Sequence, residues 1–257
     1  MQSFLSVLLP DSLGILPALL LIAASVVTSA LTAALGLGGG IAMLAALGLA
    51  LPVPALIPVH GVVQLGSNAG RALLQRRHAE WRLIWPFLVG SVIGAALGAR
   101  FVVALPEALL KTGLGLFILV MIWTKLPAMK LGAQRLLFGF VGLFSTFLTM
   151  FFGATGPFVA AFVGPALSNR MQVIGTHAVM MTAQHLFKVV AFVAVGFAFA
   201  EWLPFLVAMV VAGFIGTALG TRILKGLKEE NFRLGFRLVV SLLALDLLRR
   251  GVVLLLA

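Results

Sequence analysis

Long apolar runs, divided by glycine, proline or basic residues, make up most of this chain. They fall at approximately 13–35, 41–57, 59–76, 83–104, 107–124, 135–152, 157–168, 172–198, 203–223 and 233–248. A transmembrane helix needs about 20 apolar residues to cross a hydrocarbon core of about 30 Å, and most of the runs approach that length. The pattern therefore predicts membrane-spanning α-helices along the whole chain.

Two of the runs are too short or too interrupted for full spans. The run at 41–57 contains Pro52 and Pro54, and the run at 157–168 contains Pro157, Gly164 and Pro165. Half-helices or re-entrant segments are tolerated at membrane depth where they are enclosed by protein. We therefore predict an all-α, polytopic transmembrane helical bundle of 8–10 segments with glycine-broken or re-entrant helices.

The second half of the chain repeats the first. Four pairs of residues share one offset of 117 positions: Gly36 with Gly153, Gly39 with Gly156, His60 with His177, and Arg71 with Lys188. Further on, the segment 94–100 matches 216–222 at an offset of 122. A fixed offset over many positions indicates an internal duplication. We predict a first transmembrane repeat over 1–124, a cytoplasmic linker over 125–134 and a second repeat over 135–257.

Charge then orients the repeats. Only 10% of the residues are charged, far below the roughly 25% of soluble domains, and 18 Lys and Arg against 7 Asp and Glu give a net charge of +11. The basic residues concentrate at 71–82, 125–135 and 222–233, and such short basic loops favour the cytoplasmic side rather than a nucleic-acid partner. The counterpart of 71–82, around Glu201, has no Lys or Arg, which predicts an inverted-topology repeat.

The composition also limits the chemistry. With 62% hydrophobic residues, the chain is not expected to be a soluble enzyme, and the absence of cysteine excludes disulfides and thiolate metal sites. Between Met1 and Ser12 there is no Lys or Arg, so the first apolar run is expected to be a retained helix rather than a signal peptide. No cofactor and no metal site are expected.

Two glycine clusters, 36–40 and 153–157, interrupt the apolar runs at equivalent places. A glycine break exposes backbone N–H groups, and the helix that follows directs its positive dipole end into the gap. A tight turn between helices is the alternative interpretation. Placement in both halves favours a substrate site and makes the following residues candidates: Gly38, Gly39, Gly40, Gly153, Thr155 and Gly156.

Polar residues follow each cluster at a spacing that places them on one helical face. Positions i, i+4, i+7 and i+11 share a face, and they hold His60, Gln64, Ser67 and Arg71 in the first half, and His177, Met181, Gln184 and Lys188 in the second. Intramembrane polar side chains suggest function. We expect Arg71 to extend to the cytoplasmic surface instead, and each histidine has the alternative role of capping its helix or bonding a carbonyl group.

The charge of these candidates favours an anion. No carboxylate lies in the middle of a predicted span except Asp246, whereas Lys188, the histidines and two helix N-termini all attract negative charge. A cation or metal permease would need acidic or carbonyl ligands that the chain mostly lacks. Gly90, Gly94, Gly98, Gly216 and Gly220 have small-xxx-small spacing, which predicts close helix packing.

These residues resemble the TauE/SafE sulfite exporter family, also described as the 4-toluene sulfonate uptake permease family. The resemblance runs from about Leu31 to Gly251 and rests on the paired glycine clusters, on 68–71 and 80–83, and on the glycine ladders. It implies a multi-pass carrier in the prokaryotic inner membrane for sulfite, sulfonates and related sulfur or organic anions, driven by the proton gradient. Where the family has Thr-Ser, this chain has His60 and His177, which suggests that these histidines bind protons or an oxyanion.

We therefore expect a secondary transporter of a small anion that works by alternating access, rather than an enzyme. Its expected partners are the anion, protons and the lipid bilayer, and a homo-oligomer is compatible with the sequence. A cation or metal permease and a non-transporting membrane scaffold or assembly factor are the alternatives. An intramembrane hydrolase is disfavoured, because no Ser/His/Asp or paired-carboxylate arrangement lies at a suitable depth.

Overall fold

The computed structural model describes residues 9–10, 12–35, 38–102, 106–124, 134–223 and 229–256. The helices over these residues are α1 (Ile15–Leu35), α2 (Gly39–Ala50), α3 (Val53–Gln75), α4 (Trp81–Val102), α5 (Glu107–Trp123), α6 (Gln134–Phe152), α7 (Gly156–Ala166), α8 (Arg170–Ala194), α9 (Leu203–Ile223) and α10 (Glu229–Leu256). Short 3₁₀ turns at Arg76–His78 and Phe199–Trp202 precede α4 and α9. The predicted all-α bundle is confirmed.

Helix length separates spanning helices from short ones. Among the described residues, five segments are long and apolar enough to cross a membrane: Ile15–Ala33, Trp81–Val102, Arg135–Phe152, Met171–Ala194 and Phe199–Gly220. By contrast, α2 has 12 residues and α7 has 11, which at a rise of 1.5 Å per residue is about 18 Å or less. Neither short helix reaches across about 30 Å of hydrocarbon, in agreement with the prediction of half-helices.

The boundary between α2 and α3 differs from the one expected at 57–59. Leu51 has an extended backbone (φ −98°, ψ 147°) because it precedes Pro52, and a residue before proline is disfavoured in the α conformation. Pro54 then lies in the first turn of α3, where its missing N–H costs no hydrogen bond. The expected boundary was therefore wrong, and Pro58 lies inside α3.

The predicted role of the glycine ladders in packing is confirmed. Helix α4 packs along α6, and α9 packs along α1. A Cβ atom on Gly94 would overlap the carbonyl of Leu143, and one on Gly216 would overlap the carbonyl of Val26. The backbones therefore approach too closely at these crossings for any larger residue.

A matched pair of glycine substitutions measures this packing. We expect Gly94→Ala to destabilise the protein by about 1–3 kcal/mol, the usual cost of overpacking, and to lower the midpoint of thermal unfolding in detergent. Gly164→Ala in α7 is the control, because nothing lies within 4 Å of its Cβ position. Equal midpoints for the two variants would contradict the packing role.

Some sequence predictions fall outside the described residues. They are Gly36 of the first glycine cluster, nearly all of the predicted linker at 125–134, and residues 224–228 of the basic segment at 222–233. The extent of the two repeats stays a prediction. Five helices precede that linker and five follow it among the described residues.

Candidate functional site

A cavity of about 40 Å³ lies where the starts of α2 and α7 approach α3 and α8. Gly38, Gly40 and Gly156 line it from the two helix starts. A buried water needs about 10–15 Å³ of such space, so the cavity holds about three waters or one small ion. Its size suits a small inorganic ion or the charged group of a larger one.

Glycine backbone geometry places both helix starts at this cavity. Gly38 before α2 has φ 103°, and Gly153 before α7 has φ 74°. Glycine adopts these conformations without the steric cost that a Cβ atom imposes. The first-turn N–H groups of a helix have no acceptor within the helix, so two positive helix ends are directed toward one small space.

The two predicted histidines make equivalent contacts with the helix starts. Nε2 of His60 lies 3.0 Å from the carbonyl oxygen of Gly40, and Nε2 of His177 lies 3.0 Å from that of Gly156. Because a carbonyl oxygen only accepts, the hydrogen-bond network assigns the proton to Nε2 in each ring. Each histidine therefore makes the carbonyl bond expected as its alternative role, and each also lines the cavity.

The lining positions differ from the predicted stripe. On α3 they are His60, Gln64, Asn68 and Arg71, at i, i+4, i+8 and i+11, and on α8 they are His177, Met181 and His185, at i, i+4 and i+8. Ser67 and Gln184, predicted at i+7, are buried but do not line the cavity. Rows at i+4 slant around a helix, so at a helix crossing the lining follows this row instead of a line parallel to the axis.

Three other predicted residues act in the walls rather than on the cavity surface. Nε2 of Gln184 donates to Oγ1 of Thr155 at 2.9 Å, which ties α8 to the residue before α7. Both side chains are fully buried. Gly39 packs against α1, where a Cβ atom would overlap the carbonyl of Thr28 and the hydroxyl of Thr32. These residues shape the site without reaching its interior.

Lys188 is completely buried and lies behind His60 rather than in the cavity. Its Nζ atom is 3.3 Å from the carbonyl oxygen of Gly153 and 3.5 Å from Nδ1 of His60. Both groups are neutral acceptors when His60 carries its proton on Nε2. The lysine thus joins the second half of the chain to the first through His60.

Arg71 lines the cavity, so the expectation that it extends to the cytoplasmic surface was wrong. Its Nη2 atom donates to Oδ1 of Asn68 at 2.6 Å, one helical turn earlier. This charge-assisted hydrogen bond holds the guanidinium beside the cavity. Arg71 supplies a full positive charge to the lining, and none of the described lining residues is a carboxylate.

A family model described as "Sulfite exporter TauE/SafE" matches residues 21–247. The chain belongs to the TauE/SafE family. Its members are membrane transporters of the sulfite-exporter type and not enzymes. No curated protein and no solved structure matches the chain significantly.

The TauE/SafE match confirms the resemblance seen in the sequence and covers every residue of the cavity. Several cavity residues were missed by the sequence analysis, notably Asn68 and His185. They are separated by the same offset of 117 as His60 and His177, so the repeat could have revealed them. The His185 ring lies edge-on to His60 with centroids 6.0 Å apart, and its buried Nδ1 has no hydrogen-bond partner among the described residues.

Buried hydroxyl groups on α1 and α6 of this TauE/SafE protein also repeat at the offset of 117, and Thr32 among them lines the cavity. Three pairs on α1 and α6 are separated by 117 positions: Thr28 with Ser145, Ser29 with Thr146, and Thr32 with Thr149. All six side chains are buried. Within the described residues, no group of three His, Asp or Glu side chains is arranged to hold a metal ion. The polar side chains that line the central cavity therefore carry hydroxyl, amide, imidazole and guanidinium groups.

Proposed function

We propose that this TauE/SafE protein carries a small anion, sulfite or a related sulfonate or organic anion, through the central cavity. One observation supports this most strongly: two helix N-termini, Arg71 and three histidines surround a cavity whose described lining contains no carboxylate. Each helix N-terminus is equivalent to about half a positive charge. Together with Arg71 they provide about two positive charges to a bound anion.

The same charges disfavour the alternative of a cation permease. A bare cation needs carboxylate or several carbonyl oxygens to replace its hydration shell. The carbonyl oxygens of Gly40 and Gly156 already accept hydrogen bonds from His60 and His177. A cation entering the cavity would therefore meet Arg71 and two positive helix ends without compensating ligands.

The contacts between helices match one another between the two proposed halves. If α1–α5 correspond to α6–α10, the α1–α9 contact is the counterpart of the α6–α4 contact, and α3–α9 is the counterpart of α8–α4. Helices α3 and α8 correspond to each other, so the contact between them joins equivalent parts of the two halves. Inverted repeats that hold a substrate between them are typical of secondary transporters, so we propose alternating access around this crossing.

We further propose the prokaryotic inner membrane as the location of the protein, with the basic connection at Arg76–His78 in the cytoplasm. The anion, protons and the lipid bilayer are its proposed partners. A homo-oligomer is compatible with the many apolar side chains exposed on α4 and α9, although lipid also covers such surfaces.

Uptake of labelled sulfite into proteoliposomes under an imposed pH gradient tests the proposal. We expect saturable uptake that small sulfonates inhibit and that divalent metal cations do not. If the gradient drives no sulfite or sulfonate in either direction, the anion-carrier proposal fails and a scaffold function is favoured.

The histidines provide a test of proton coupling. We expect His60→Gln combined with His177→Gln to flatten the pH dependence of transport, because glutamine retains an N–H donor for the glycine carbonyl but has no ring nitrogen that binds a proton. His78→Gln is the control, since His78 is exposed in the 3₁₀ turn. Lys188, Arg71 and His185 are the other charged or titratable groups beside these rings. An unchanged pH profile would contradict a coupling role for the two histidines.

A further inference from the structure

A second, larger cavity of about 360 Å³ lies at the beginning of α3 and the end of α8. Pro54, Ile57 and Pro58 line it from α3, Phe192, Val195 and Phe197 line it from α8 and the segment that follows, and Val102, Glu107 and Leu110 line it from the end of α4 and from α5. Glu107 is the charged residue of this lining, and its carboxylate pairs with Nζ of Lys111 at 2.6 Å. Because α3 runs from this cavity to the basic turn at Arg76–His78, the cavity lies at the opposite end of the bundle. Its volume is within the range of small-molecule sites.

One layer of residues separates this second cavity from the central cavity. Ile57 lines the second cavity, and His60, one helical turn later, lines the central cavity. Gly153 fills the space between them: a Cβ atom built on it would lie 3.3 Å from both Ile57 Cδ1 and His60 Nδ1. On α8, Phe192 lines the second cavity one turn after Lys188.

Lys188 closes this layer with weak hydrogen bonds. Its contacts to Gly153 and His60, at 3.3 and 3.5 Å, are longer than the usual 2.7–3.2 Å, and both acceptors are neutral. Isolated cations inside a membrane protein are costly. An anion would offer Lys188 a shorter and stronger charge-assisted bond than either present acceptor. An arriving anion therefore competes well for the ammonium group.

We propose that the second cavity is the vestibule through which the anion reaches the central cavity, and that Lys188, held against Gly153 and His60, is the gate between them. This proposal rests on the proposed anion-carrier function. The anion draws the ammonium group away from the Gly153 carbonyl and from Nδ1 of His60, and loss of the His60 contact breaks the link between the two halves. It then passes to the helix N-termini and Arg71, and the lysine returns to Gly153.

Labelling in the vestibule tests the route. The chain has no cysteine, so single cysteines can be modified selectively with a bulky, membrane-impermeant thiol reagent. We expect modification of Val195→Cys to lower sulfite uptake about tenfold or more, because the reagent fills the cavity that Val195 lines. Ala200→Cys, which is exposed on the same connection but does not line the cavity, is expected to be modified without loss of uptake.

Either of two results would overturn the vestibule: no reaction at Val195→Cys, or full uptake after mass spectrometry shows complete modification. Both leave the anion-carrier function standing if the unmodified protein transports sulfite. If the wild-type protein transports no anion, the proposed function fails instead. The two failures are therefore distinguishable.

Lys188→Met tests the gate. Methionine has a similar length but cannot attract an anion, so we expect the initial rate of sulfite uptake to fall about tenfold or more. Equilibrium binding of sulfite to the purified variant in detergent is expected to change little, since Lys188 does not line the central cavity. Wild-type uptake by this variant, or equal losses of binding and uptake, would overturn the gate. Should Lys188→Met fail to fold, the labelling of Val195→Cys still decides whether the route exists.

Discussion

Replacing Arg71 by glutamine is expected to lower the initial rate of sulfite uptake about 10- to 100-fold. A hydrogen bond to a charged group contributes about 1.5–3 kcal/mol. Among the described residues that line the cavity, Arg71 is the one lysine or arginine. Glutamine can still donate to Oδ1 of Asn68, so the loss reports the positive charge. The rate is measured in proteoliposomes with equal amounts of reconstituted protein.

Arg77→Gln is the matched control for Arg71→Gln. Arg77 lies six residues further on in the basic 3₁₀ turn and is exposed, where a single charge contributes little to binding in the cavity. We expect this control to transport at close to the wild-type rate. Equal rates for both variants would show that the charge of Arg71 does not act on the anion.

The second large effect is expected from Gly153→Ala. Gly153 has φ 74°, and its added Cβ atom would lie 2.7 Å from Leu44 Cδ1 and 3.3 Å from His60 Nδ1. The left-handed conformation costs a residue with a Cβ atom about 1–2 kcal/mol, and overpacking adds about 1–3 kcal/mol. We expect a large fall in the midpoint of thermal unfolding and loss of sulfite uptake.

Gly196→Ala separates these two contributions. Gly196 also has a positive φ, of 90°, but nothing lies within 4 Å of its Cβ position. Its variant should therefore show the conformational cost alone, and the additional loss in Gly153→Ala should report the contacts with Leu44 and His60. A Gly153→Ala protein as stable and active as Gly196→Ala would contradict the close packing around this glycine.

Most of the fold could be predicted from the sequence because hydrophobic run length and helix-breaking residues are local signals. Pro157, named in the sequence as an interruption of its run, lies in the first turn of α7. The boundary after α2 was misplaced because the run continues across Pro52, where only the conformational restriction on Leu51 ends the helix. The hydrophobicity of the neighbouring residues does not predict this restriction on the backbone of Leu51.

The site could be predicted only in part. His60, His177 and the helix starts were found because the duplication repeats them, and each lines the cavity. The angle at which α3 and α8 cross is a tertiary property, and it selects the i+8 residues Asn68 and His185 instead of Ser67 and Gln184. Likewise, the contact between Lys188 and His60 joins residues 128 positions apart, and no local pattern predicts it.

The most direct test of the central claim is to locate an anion in the protein. Selenite has the charge and shape of sulfite, and its selenium atom can be located by anomalous scattering in a crystal of the protein. We predict a selenium peak between the starts of α2 and α7, within hydrogen-bonding distance of the backbone at Gly40 and Gly156 and close to Arg71. A peak elsewhere in the bundle, or an empty cavity at a selenite concentration that saturates transport, would contradict the assignment of this cavity as the anion site.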